Sequence, residues 1–90
     1  MSAKVPRGSY ASVPLHGSAT LSSTNQWEIH NQLEQVVGSD CAPHGWECLS
    51  LDNGVTVVVT VPQFSLVMPH TVYWRATATG PFKLAAFSVV

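Results

Sequence analysis

The run Val55-Thr56-Val57-Val58-Val59-Thr60-Val61 is β-branched at every position and follows directly on Asn53-Gly54. β-Branched side chains pack well on a pleated surface and lose rotamer freedom in a helix. Asn-Gly supplies the two positive-φ residues that a type I′ turn needs. A β-hairpin is therefore expected, with residues 46–51 as its other strand. The short turn sets the register: Leu51 opposite Thr56, Leu49 opposite Val58, Glu47 opposite Thr60. One face then carries Trp46, Cys48, Val57, Val59 and Val61, and the other carries Leu49, Leu51 and Val58.

Alternation continues downstream. Residues 71–79 read as a strand with Val72, Trp74, Ala76 and Ala78 on one face. Gly80-Pro81 marks a turn, and residues 82–90 read as a last strand. Phe82, Leu84, Ala86 and Val90 share one of its faces; Ala85, Phe87 and Val89 share the other. Residues 62–70 are apolar but bracketed by prolines, which suits a connection with Phe64, Leu66, Val67 and Met68 partly buried.

Residues 24–37 carry a different pattern. Trp27, Ile29, His30, Leu33, Val36 and Val37 recur at three- and four-residue intervals, which predicts one amphipathic helix. Ser23 with Gln26, and Asn25 with Glu28, fit a capping box, and Gly38 suits the left-handed residue after a helix end. Residues 1–22 are rich in Ser, Ala, Gly and Pro and predict an extended N-terminal arm, whose removal is expected to spare the fold. The expected fold is α+β: one amphipathic helix packed on a four-stranded, mostly antiparallel sheet in a single domain, 23–90, after the arm, 1–22.

Composition bears on function. Of ninety residues 46% are hydrophobic, but only 10% are charged, against about 25% in a typical soluble domain. Between Asp52 and Arg75 there is no Asp, Glu, Lys or Arg. Sparse charge leaves surface apolar groups unguarded, and interface cores are depleted in charge. One helix of fourteen residues, about 21 Å long and about 10 Å wide, covers only one sheet face. The second face and the arm are therefore the expected interface: Tyr10, Val13, Leu15, Leu49, Leu51, Val58, Phe87 and Val89.

These features predict a non-enzymatic structural subunit of a large, homo-oligomeric protein assembly. A viral or phage particle protein (capsid decoration, minor capsid, neck or tail) is its most concrete form. The alternatives are a small adaptor that binds one protein partner through the uncovered face, and a small metal-binding or Cys/His catalytic domain. Net charge is −1 with scattered basic residues, so no nucleic-acid partner is expected. No apolar run reaches about 20 residues, so no membrane span is expected. The opening MSAKVPRGSY lacks the apolar stretch of a signal peptide, which predicts a virion or cytoplasmic location.

Cys41, His44 and Cys48 form C-x2-H-x3-C, and Asp40, His30 or His70 would be the nearest further donors. The spacing matches no zinc motif and no second cysteine pair is present, so no metal or cofactor is expected. Without a secretory signal, two unpaired cysteines are expected rather than a Cys41–Cys48 disulfide. A Cys41–His44 dyad has neither an orienting acid nor an oxyanion-hole motif, so no catalytic residue is assigned. His30 is expected at the edge of the core, and His16 and His70 in solvent. Trp27, Trp46 and Trp74 are expected to anchor helix and strands in the core.

Overall fold

A computed structural model describes residues 3–40, 47–51 and 55–90, residues 47–51 by their backbone. Among the described residues there are nine strands and no helix. They are β1 (Ala3–Val5), β2 (Tyr10–Pro14), β3 (His16–Ala19), β4 (Trp27–Asn31), β5 (Val36–Ser39), β6 (Glu47–Leu51), β7 (Thr56–Thr60), β8 (Pro69–Trp74) and β9 (Phe82–Val89). The expected α+β fold is thus replaced by an all-β one. A six-stranded sheet has the order β1-β9-β8-β4-β5, with β3 also pairing β9, and a three-stranded sheet has the order β2-β7-β6.

The hairpin stands where its turn chemistry put it. β6 and β7 are antiparallel with Glu47 opposite Thr60, Leu49 opposite Val58 and Leu51 opposite Thr56. The Asn53-Gly54 turn lies outside the described residues. Val57, Val59 and Val61 are fully buried, as period-two alternation demands.

The helix expected over 24–37 is a strand, a turn and a second strand. Trp27 and Ile29, two residues apart, are fully buried on one face of β4, opposite Trp74 and Val72 of β8. Leu33 and Val36, which a helix would have buried beside them, are exposed. The turn is built by Asn31, whose Oδ1 accepts from Leu33 N at 2.9 Å and Gln35 N at 3.0 Å. Such Asx geometry competes directly with helix. Glu34 sits at φ 62°, outside helical space. Gly38 is not a helix cap; it pairs with Ile29 inside the sheet.

The expected arm is likewise integral. β1 runs parallel to β9 with Val5 opposite Val89, β2 pairs β7 with Val13 opposite Val57, and β3 pairs β9. The chain thus crosses from the large sheet to the small one and back within twenty residues. The β1–β2 turn passes through Gly8 at φ 78°, where a Cβ would collide with the Gln63 side chain.

The two sheets bury each other. Val13, Leu15, Val57, Val59 and Val61 meet Val5, Trp27, Ile29, Val72, Trp74, Ala85, Phe87 and Val89 in one core. Phe87 and Val89 were expected on an uncovered face and are in the interior. Residues 71–79 are strand only to Trp74; Ala76 and Ala78 are exposed. The Cα radius of gyration is 11.7 Å, close to the ~12 Å of a compact chain of this length.

Candidate interaction surface

Two features of the outer surface stand apart: a buried polar cluster on β4 and an apolar end between the β4–β5 turn and residues 62–69.

The cluster centres on Glu28, buried on the face of β4 that points away from the core. Its Oε2 accepts from Ser23 Oγ at 2.6 Å and Asn25 Nδ2 at 3.1 Å, and its Oε1 from His30 Nε2 at 2.8 Å. The His30 ring meets Tyr73 edge-on, centroids 4.8 Å apart. Arg75 binds the same 23–26 segment from the other side. Its Nε donates to Asn25 O at 3.0 Å, its terminal nitrogen to Ser23 O at 2.9 Å, and its guanidinium lies 4.5 Å from the Phe82 ring centroid. Residues resembling a helix cap in sequence therefore lash a loop to a sheet.

Serine, histidine and a carboxylate meet here, but their wiring differs from a hydrolytic triad. The carboxylate sits between the other two, so Ser23 donates to Glu28 and has no imidazole to take its proton. The arrangement orders residues 23–26.

Burial acts to raise the Glu28 pKa. Hydrogen bonds from Ser23, His30 and Asn25, with the charge of His30, outweigh it and hold the carboxyl below its ordinary 4.5. A carboxylate with a depressed folded value stabilises the fold above the unfolded value and loses that contribution as pH falls through the folded one. His70 is depressed by burial, against a raising hydrogen bond to Met68 O, so it opposes folding in acid from its ordinary 6.5 downward. Glu28→Gln is expected to cost about 1–3 kcal/mol at neutral pH, the loss of hydrogen bonds to a charged acceptor. The difference from wild type should shrink below pH 4.5, the ordinary carboxyl value. Urea titrations at neutral and acid pH check it; a pH-independent difference would contradict the depressed carboxyl.

The apolar end is made by two segments that share one cavity of about 170 Å³, lined by Asn31, Val37, Phe64, Ser65, Leu66, Met68 and His70. Leu33, Phe64, Leu66 and Val67 are 69, 71, 66 and 60% exposed; Val36, opposite His30 on the outer face of the large sheet, is exposed as well. Sequence suggested that Phe64, Leu66 and Val67 are partly buried; they face outward. His70, expected in solvent, is buried, stacked on Phe87 at 5.4 Å, with its Nδ1 donating to Met68 O at 3.0 Å. Ser65 Oγ is the one buried side-chain polar atom among the described residues without a hydrogen-bond partner.

The sequence-derived interface is divided by the structure. Val13, Leu15, Phe87 and Val89 lie in the core. Tyr10 is exposed and Val58 half-buried, on the outward positions of β2 and β7. The side chains of Leu49 and Leu51 lie outside the described residues.

Among the metal-donor candidates, Cys41 and His44 lie outside the described residues, as does the side chain of Cys48. Asp40 Oδ1 instead accepts from Gln26 N at 2.6 Å, while His30 and His70 are engaged as described above. Among the described residues no three His, Cys, Asp or Glu converge as ligands would. Trp27 and Trp74 are core anchors; Trp46 lies outside the described residues.

Neither a protein-family model, nor a curated protein, nor a solved structure matches this chain.

Proposed function

We propose that this chain is a non-enzymatic structural subunit that works by packing against other protein subunits, its most concrete form a capsid, neck or tail component of a viral or phage particle. One observation carries the reading. Phe64, Leu66 and Val67 project into solvent from a segment without a single charged side chain. Isolated exposed apolar residues are ordinary, but a clustered set on a charge-poor surface marks a contact surface. Mutual burial of the two sheets removes the other support, an uncovered second sheet face holding Phe87 and Val89.

Light scattering on the full chain eluting from a sizing column tests the proposal. The expected species is a multiple of 9.7 kDa, growing with concentration. A species that stays at 9.7 kDa up to millimolar chain would remove the homomeric role.

A further inference from the structure

We infer that the partner at the apolar end is a second copy of this chain, docked about a two-fold axis with Phe64 of each protomer seated in the cavity of the other. The inference deepens the assembly reading and rests on it.

Cavity size limits the occupant. At about 170 Å³ it is smaller than the 300–1,000 Å³ typical of sites for cofactors and drug-sized ligands. It is close to the ~150 Å³ that holds one benzene ring. One phenyl group fills it. Its walls are Asn31, Val37, Leu66, Met68 and the rim residue Phe64, with buried Ser65 and His70 beside them.

The patch that holds the socket also holds the knob. Phe64 stands exposed on the cavity rim, flanked by Leu66 and Val67, with Leu33 on the neighbouring turn. A patch with both parts is self-complementary under a two-fold rotation, which is the requirement for an isologous dimer. A surface of one charge sign would repel its own copy, and this patch carries almost none. Glu34 is the one ion in residues 31–37, and residues 62–70 have none apart from any charge on buried His70.

Area agrees with a modest dimer. A large aromatic side chain buries on the order of 150–250 Å², and Leu or Val less. At the observed exposures the four side chains offer roughly 400–500 Å² per protomer, hence about 800–1,000 Å² for the pair, the size of a weak, transient contact. Association in the micromolar to submillimolar range is expected.

Sedimentation equilibrium on wild type and Phe64→Glu, from low micromolar to millimolar chain, tests it. The ε-methyl NMR signal of Met68, which lines the cavity, is followed in parallel. Wild type should dimerise and shift the Met68 signal with concentration. Phe64→Glu should weaken association by about tenfold or more, as a central anchor does, and hold the Met68 signal still. Leu33→Asp, a second exposed site, should weaken association while both variants keep wild-type far-ultraviolet dichroism. A wild-type oligomer indifferent to both substitutions overturns the two-fold inference and leaves the assembly reading standing. A wild-type monomer throughout the range overturns the two-fold inference together with the homomeric role on which it rests.

Discussion

A chain lacking residues 1–15 is expected to be unfolded at room temperature. The deletion removes β1 and β2, and with them Val5, Val13 and Leu15, all buried in the single core. At roughly 1.5–3 kcal/mol for each buried Val or Leu side chain, the direct loss is about 5–9 kcal/mol. That rivals the whole stability of about 5–13 kcal/mol typical of a domain this size. The damage extends further, because β2 is one of three strands in the small sheet. Without it β6 and β7 form a lone hairpin, which is marginal in water. Val57 and Val59 lose the strand that pairs with theirs across Val13 and Ala11. Val61 N also loses its acceptor, Ser9 O at 2.8 Å. Proton–nitrogen correlation spectra of the deleted chain should collapse to the dispersion of a random coil. A dispersed spectrum with a cooperative urea transition would restore the independent arm that composition suggests.

The sequence misleads at the N-terminus for a physical reason. β1, β2 and β3 are three to five residues long, and β2 and β3 contain Ser, Gly and Pro. Their propensity is low, and tertiary pairing with β7 and β9 makes them strands. The β6–β7 register was legible because local chemistry sets it: an Asn-Gly turn and a β-branched run agree. The two faces of β9 were also legible from alternation, but not which face turns inward. Phe82, Leu84 and Ala86 are as apolar as Ala85, Phe87 and Val89. The choice belongs to the opposing sheet, which buries the second set; Phe82 of the first set is buried too, outside that core and beneath Arg75.

The polar cluster was hidden by an ambiguity of the same kind. A serine or asparagine three residues before Gln or Glu caps helices well, but those atoms can equally tie a loop to a strand. The clue in hand was Glu28-x-His30, an i, i+2 pair that a strand places on one face and a helix does not. At the apolar end, the absence of charge between Asp52 and Arg75 was visible, and the prolines bracketing 62–69 marked a loop. Which of its side chains face outward depends on packing that no local pattern encodes.

Four alanine substitutions separate strand from helix over residues 24–37. On a helix Trp27, Ile29, Leu33 and Val36 would contribute to one buried stripe, and each truncation would cost stability. In the sandwich Trp27 and Ile29 are fully buried in the core, whereas Leu33 and Val36 are exposed at the turn and the sheet edge. Trp27 lies beside Trp74 on the inner face of the large sheet, so its removal empties a large volume between the two sheets. Trp27→Ala should cost about 3–5 kcal/mol and Ile29→Ala about 2–5 kcal/mol, the range for deleting large side chains from a rigid interior. Leu33→Ala and Val36→Ala should stay within about 0.5 kcal/mol of wild type, as surface changes do. Urea unfolding of the four variants at a concentration below any self-association measures all of these. Comparable losses at Leu33 and Trp27 would mean that the segment buries a helical stripe and that the Asn31 turn, with Glu34 at positive φ, does not exist in solution.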